Sequence, residues 1–400
     1  MMEPKIRFSS SNILYEEKTL SEISTINPKT NVPLEFEYVD LESVSGTEMT
    51  NHRTEHKATA PSRAQRLAKK GDIFYQTVRP YQKNNYYFDM DDDNYVFSTG
   101  YAQIRPSIYG KYLFTLLQND SFLKQVLDNC AGTSFPAINP SVLSRLSVRI
   151  CKDKQEQQAI ASYFTSLDTQ ISASTSRLAS LKQMKAASLQ AMFPQEGETV
   201  PKIRFKGFEG EWKKKLLNEC LSVCTEKNFD NIYNKEDVLS VSDDFGICNQ
   251  IKLLGRSYAG KSVANYGILQ TGYIVYTKSP LKAKPYGIIK TNHGPTGIVS
   301  TLYAIFAPKK DTNADFIEVY FDHAERLNKY IHPLVNKGAK NDMKVSSENA
   351  LKGFIMIPSL AEQQAIASYF TSLDRQISLQ SQRLEKLKQI KSACLDKMFV

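Results

Sequence analysis

The thirteen residues EQQAIASYFTSLD occur twice, at 156–168 and at 362–374. A verbatim repeat of that length obliges the chain to build one local structure twice. The likeness continues as TQISASTSRLASLKQMKAASLQAMF against RQISLQSQRLEKLKQIKSACLDKMF, still at an offset of 206. At the front of each half, Pro4-Lys5-Ile6-Arg7-Phe8 returns as Pro201-Lys202-Ile203-Arg204-Phe205, and Tyr15, Leu20 and Glu22 fall on Trp212, Leu217 and Glu219. Between the ends, Gly71-Asp72-Ile73-Phe74-Tyr75 aligns with Gly272-Tyr273-Ile274-Val275-Tyr276, Tyr101-Ala102 with Tyr303-Ala304, and Pro106 with Pro308. The offset climbs through 197, 201, 202 and 206, the signature of a tandem duplication with small loop insertions.

Each half is thus a variable body followed by a near-invariant tail, and the expected division is 1–153, 154–194, 195–358 and 359–400. Both tails read as helices. Leu167, Ile171, Leu178, Leu181 and Met192 recur at helical spacing, as do Leu373, Ile377, Leu384, Leu387 and Met398. Neither tail contains an internal Gly or Pro, Pro194 ends the first, and Pro358 precedes the second. About 39 residues at 1.5 Å each make a rod of roughly 58 Å. One apolar stripe on so long a rod needs a partner, and the other copy is the obvious one. The bodies read as α+β. Asp72–Tyr75, Tyr95–Ser98, Tyr273–Tyr276 and Gly297–Ser300 are short aromatic or β-branched runs and are predicted strands. Tyr109–Asn129 and Phe316–Tyr330 are predicted helices.

Charge narrows the function. The chain carries a formal net charge of +9, and from Phe245 to Lys310 there is no Asp or Glu. That stretch holds Lys252, Arg256, Lys261, Lys278, Lys282, Lys284, Lys290, Lys309 and Lys310. Nine cations without an anion point to a polyanionic partner such as nucleic acid. No apolar run approaches the roughly 20 residues that span a bilayer. No signal peptide is expected from MMEPKIRFSSSN. The six cysteines form no C-x-x-C pair and are expected to be reduced thiols in a cytoplasm.

Two tails kept alike and two bodies allowed to differ fit an adapter in which similar surfaces dock identical partners and dissimilar surfaces bind dissimilar targets. The sequence resembles the type I restriction–modification DNA specificity subunits over nearly its whole length. The resemblance is carried by the E-Q-Q-x-I-A-x-x-x-x-x-L-D-x-x-I helix starts at Glu156 and Glu362. It is carried also by Pro61-Ser62-Arg63-Ala64 leading to Gly71-Asp72-Ile73, and by Phe205-x-Gly207-Phe208-x-Gly210-x-Trp212. The opening Ser9 to Tyr15 departs from the Gly- and Trp-bearing pattern at 206–212. The resemblance implies two tandem target-recognition domains, each reading half of a split DNA site, each followed by a long helix, the helices packing as an antiparallel coiled coil. It implies two methyltransferase subunits and translocating nuclease subunits as partners, with S-adenosylmethionine, ATP and Mg²⁺ on those partners and none on this chain. It implies no catalysis by the chain itself.

Three motifs suggest other chemistry. Gly255-Arg256-Ser257-Tyr258-Ala259-Gly260-Lys261-Ser262 fits the P-loop pattern, which works only when a strand feeds the loop and a helix leaves it. Gly267 and Gly272 break the stretch where that helix would run, and the first half has no counterpart. A DNA-side loop, with Lys261 on a phosphate or guanine, is expected instead. His52-Arg53-Thr54-Glu55-His56 fits an inverted zinc-protease pattern, but Asn51 precedes it and Pro61 comes after it, which suits a loop. Asp89 to Asn94 opens like a calcium loop but lacks Gly at position six and Glu at twelve.

Base reading needs paired donors or acceptors, and phosphate contact needs only a cation. The loop after the strand at 72–78 offers Arg79, Tyr81, Lys83, Asn84 and Asn85, and its counterpart offers Lys278, Ser279, Lys282 and Lys284. These are the candidates for discrimination. Arg63, Arg66, Lys69 and Lys70, and Lys337, Lys340 and Lys344, are the candidates for phosphate contact. Two other readings are a coiled-coil protein adapter without base reading, and an NTPase using Lys261.

Overall fold

The computed structural model describes residues 4–8, 15–278, 284–337 and 343–399. The chain folds as two compact units, residues 1–175 with 382–400, and residues 176–381. The boundaries fall inside the long helices, Lys154–Ala191 and Leu360–Met398, so each unit contains the beginning of one helix and the end of the other.

In the first unit the strand Tyr15–Thr19 pairs antiparallel with Ser147–Cys151, closing the start of the body on its end. Thr19 and Glu22 form a capping box on the single turn Leu20–Ile23, whose Leu20 and Ile23 are buried. A sheet comes next, in the order Ser24–Ile26, Tyr101–Pro106, Ile73–Gln76, Tyr86–Tyr87. Every residue of Ile73–Gln76 is buried because both faces of the strand are covered. Ile73 and Tyr75 enter the main core, while Phe74 faces a second core and stacks on Phe97 at 3.6 Å between centroids. Phe97 belongs to a second sheet, ordered Arg53–His56, Glu35–Val39, Tyr95–Ser98, Ala64–Leu67. The predicted helix Tyr109–Asn129 is two helices, Gly110–Leu116 and Asp120–Asp128. The break lets Asn119 accept from the Ser121 amide at 2.6 Å and donate to the Leu395 carbonyl at 2.8 Å.

The second unit repeats this frame. Lys213–Leu216 pairs antiparallel with Phe354–Ile357, a single turn Leu217–Cys220 comes next, and a sheet runs Leu221–Cys224, Ala304–Pro308, Ile274–Tyr276, Ile289–Thr291. Where the first unit inserts a four-stranded sheet, the second inserts two ribbons, Leu239–Ser242 with Gly246–Asn249 and Gly267–Leu269 with Gly297–Val299. The predicted helix Phe316–Tyr330 is again two, Ala314–Asp322 and Ala324–Ile331, with the His323 Nδ1 accepting from the Arg326 amide at 3.3 Å. The four predicted strands are present at 73–76, 95–98, 274–276 and 297–299.

The tails are the expected helices, and their stripe is buried where it meets a core. Leu167, Leu181, Leu373 and Leu384 are buried, and Ile171, Leu178, Ile377 and Leu387 half-buried. Within the first unit, Ile160, Phe164 and Leu167 share a core with Leu395, Met398 and Phe399. Tyr163 meets Cys394 at 3.4 Å, and Asp168 forms an ion pair with Lys391. Within the second, Phe193 packs on Trp212, Phe316 and Phe370, Ser188 meets Tyr369 at 3.0 Å, and Lys185 bridges Asp322 and Asp374, each at 2.7 Å. In both units rising numbers on one helix meet falling numbers on the other, which is antiparallel contact.

Arg326 stacks on Phe193 and donates to the Leu189 and Tyr320 carbonyls, both at 2.8 Å. A cation thereby closes the last turn of the first long helix. Burial brings the Arg326 guanidinium down to about 10.

Candidate nucleic-acid interface

The loop from Thr77 to Asn85 leaves the buried strand Ile73–Gln76 and is held from beneath by three buried amides. Asn85 Oδ1 accepts from the Gln76 amide at 2.8 Å, and Asn85 Nδ2 donates to Gln118 Oε1 at 3.3 Å. Gln76 Nε2 donates to the Val78 carbonyl and to Gln82 Oε1, both at 2.8 Å, and Gln76 Oε1 accepts from the Asn84 amide. Five residues of this loop were expected to face DNA, and the structure separates them. Asn85 is buried inside the clamp, Asn84 Oδ1 accepts from the Gly46 amide at 2.9 Å, and Lys83 is paired with Asp120 and the Gln118 carbonyl. These three hold the loop. Arg79 lies over the Phe135 ring instead, and half of Tyr81 is exposed.

A neighbouring hairpin leaves little trace in the sequence. Ala131 and Ala137 exchange both backbone hydrogen bonds, at 2.9 and 3.0 Å, and close the turn Gly132-Thr133-Ser134-Phe135-Pro136. The Arg79 amide donates to the Pro136 carbonyl at 2.8 Å. Its one sequence signal is Gly132, which falls on Gly338 at the same offset of 206 as the tails. Arg63 lies at the same end of the unit, since its carbonyl takes the Thr99 amide while the next residue, Gly100, accepts from Thr77. Arg66 stands on the strand Ala64–Leu67 with its Nε buried and without an acceptor among the described residues. Burial pushes its guanidinium below the ordinary value. Lys69 is exposed, while Lys70 is paired at the surface with Asp91 at 2.6 Å.

In the second unit the same strand exit carries Lys278, at φ 55°. Its Nζ donates to Ser347 Oγ at 3.3 Å, and burial lowers its pKa against the opposing pull of Glu348. Ser279, Lys282 and Lys340 lie outside the described residues, and Lys337 and Lys344 are described only as backbone of the short ribbon Asn336–Lys337 with Met343–Lys344. Lys284 does not face outward. Its ammonium sits between Asp243 at 2.8 Å and Asp322 at 3.2 Å, and Lys290 is paired with Glu318. Acids distant in sequence thus neutralise two cations of the acid-free stretch. Lys252, Arg256 and Lys261 remain exposed, with Arg256 over the Tyr258 ring at 4.6 Å.

The three other motifs lack the settings their chemistry needs. A helix, Gln250–Leu254, arrives at Gly255 and is capped there in the left-handed conformation, and none leaves after Lys261. That is the reverse of a phosphate-binding loop. His52 borders a strand, Arg53–His56, and its Nδ1 meets Glu37 at 2.8 Å. Asp89 and Asp91 pair with Lys111 and Lys70. Among the described residues there is no His, Cys, Asp or Glu group fit to hold a metal, and no helix long and apolar enough to cross a membrane.

Comparison with known proteins gives a consistent family. The profile described as "Type I restriction modification DNA specificity domain" matches residues 12–183 and 257–389. The type I restriction enzyme HindI specificity subunit of Haemophilus influenzae is 34% identical over 139 residues, which is 33% of this chain and 30% of that one. The chain therefore spans less than a third of the length of the curated relative it matches. The type I restriction–modification S subunit from M. genitalium has a similar fold, with a TM-score of 0.61 at 14% identity over 100% of this chain and 99% of that one. A chain from a study of complex assembly and conformational transition in the type I R-M system has a TM-score of 0.50 at 19% identity over 96% and 97%.

Proposed function

Because this chain belongs to the type I restriction–modification DNA specificity family, we propose that it reads a split duplex DNA site, one half with each unit. The observation that carries the reading is the shared frame with unlike inserts. The two sheets built on Ser24–Ile26 and Leu221–Cys224 have the same strand order, while the inserted strands differ, with Arg66 on one and Arg63 just before it in the first unit and Lys252, Arg256 and Lys261 near those of the other. Two different reading surfaces on one frame suit two different half-sites. Arg79 and Tyr81 in the first unit, and Lys278 with Ser279 and Lys282 in the second, are the proposed discriminating residues; Arg63, Arg66, Lys261, Lys340 and Lys344 are proposed phosphate contacts.

In this reading the chain does no chemistry itself. The two long helices pack as an antiparallel coiled coil that sets the distance between half-sites, a view supported by their alternating burial and by the antiparallel contacts inside each unit. Their near-identical starts dock two methyltransferase subunits, and nuclease subunits join these. S-adenosylmethionine, ATP and Mg²⁺ belong to those partners. Six free thiols suit a reducing cytoplasm.

The test is a genome-wide map of methylated adenines in cells with and without this chain. The expected result is one bipartite motif that disappears with the chain; an unchanged map overturns the proposal. The adapter reading without base contact predicts no dependence of partner assembly on DNA. A steep fall in duplex affinity of the assembled complex between 50 and 200 mM salt, by orders of magnitude, argues against it.

A further inference from the structure

The loop that carries Arg79 is both strained and rigid. Arg79 has φ 55° and ψ 54°, and Lys83 has φ 54°, so two non-glycine residues in left-handed geometry flank the turn Pro80–Gln82. Each such residue is disfavoured by roughly 1–2 kcal/mol and persists only where its surroundings fix it. For Lys83 the surroundings explain the geometry, since its ammonium is delivered to Asp120 and the Gln118 carbonyl. Arg79 has no such internal destination. No described carboxylate forms an ion pair with it, and its guanidinium lies on the Phe135 ring, 4.5 Å from the centroid. Phe135 is itself 61% exposed at the tip of the 131–137 hairpin. An aromatic ring left in solvent and covered on one face by an arginine has no role in either core.

Stacking fixes the plane of a guanidinium and leaves its edge free, and that edge is a fork of donors. The fork matches the O6 and N7 acceptors of guanine in the major groove. The amides of Gln76, Asn85 and Gln118 hold the loop before any ligand arrives, so little ordering is left to be done on binding. The same exit in the second unit presents Lys278, a point charge already turned toward Ser347. In both units a cationic residue in left-handed geometry follows this strand within three positions, and the two cations differ in chemistry.

Resting on the DNA-reading function proposed above, we infer that Arg79 reads a guanine in the half-site of the first unit and that Phe135 is the positioning residue that aims it. The test uses the full chain with its methyltransferase partner in cells, with the methylated motif as the readout for wild type, Arg79→Ala, Arg79→Gln and Phe135→Ala. The expected result is a single G·C pair in one half-site that loses roughly 5- to 150-fold of its preference in Arg79→Ala, with the other half-site and the spacing unchanged. Phe135→Ala relaxes the same pair and no other. Arg79→Gln moves that position toward A·T, the pair a glutamine amide reads; it carries the test should Arg79→Ala cease to methylate. The unchanged second half-site controls for folding, because the other unit reads it.

Retention of guanine at every position by both Arg79→Ala and Arg79→Gln, with methylation lowered evenly, makes Arg79 a phosphate contact and overturns the inference. Relaxation at several pairs in Phe135→Ala overturns the positioning role. A wild-type chain that yields no bipartite motif refutes instead the function on which the inference rests.

Discussion

Removing the Arg204 side chain should unfold the second unit at a much lower temperature. Glu362, at the start of the second long helix, is 1% exposed, and both its carboxylate oxygens are taken by Arg204, Nε and Nη2 at 2.7 Å each. Two further guanidinium hydrogens go to the Gly210 and Glu209 carbonyls, at 2.6 and 3.0 Å. Arg204→Ala leaves a carboxylate buried without this partner, a defect worth about 3–5 kcal/mol. For a unit of about 200 residues each kcal/mol moves the midpoint by about 2–4 °C, so the expected fall is roughly 6–20 °C. Differential scanning calorimetry of the full chain at neutral pH reads it. The loss should persist in 1 M salt, because a buried pair is poorly screened. Arg204→Met with Glu362→Leu removes both charges and should recover most of the stability, since the cost lies in the orphaned charge and not in the missing attraction. A fall below about 3 °C for Arg204→Ala, or a double variant as unstable as the single, refutes the reasoning.

Three further outcomes are expected. Asp322 is largely enclosed, which alone would raise its pKa, yet Lys185, Lys290 and Lys284 outweigh that and hold it at about 2. Its contribution of roughly 2 kcal/mol is complete above the ordinary carboxylate range and is lost as pH falls toward 2, so Asp322→Asn should lower the melting temperature at pH 7 and converge with wild type near pH 2. Phe193→Ala, which empties a fully buried position in the second core, should cost about 3–5 kcal/mol by denaturant titration. Lys261→Ala should leave nucleotide binding, measured by calorimetry with ATP and Mg²⁺, the same as in wild type, whereas any loss would revive the phosphate-loop reading.

Much of the frame was legible because duplication writes each constraint twice. Glu362 and Arg204 lie in two separately repeated motifs, and the structure joins them; in the first unit the repeated Glu156 accepts from the Phe8 amide at 3.0 Å. The breaks at Asn119 and His323 were not legible. A capping side chain in mid-pattern looks like any polar residue on a helix, and its partner, such as the Leu395 carbonyl, lies hundreds of residues away. The same reason misplaced side chains in the two loops expected to face DNA. Asn85 turns inward because Gln118 waits 33 positions downstream, and Lys284 because Asp322 does 38 positions downstream. Sequence spacing identified the loop but carried no information about which side of it would be wet.

The inserted strands pack on small cores that they share with one face of the frame sheet. Val39, Phe74 and Phe97 pack apart from the cluster that holds Phe164 and Leu167, and Leu239, Leu269 and Val299 pack apart from the cluster around Phe193. Changes in an insert therefore meet the frame through one sheet face, at Phe74 and Tyr101 in the first unit and Val275 and Ile305 in the second, and leave the main cores untouched. If the units read DNA as proposed, an insert could be exchanged for another while the paired frame strands and the long helices stay as they are.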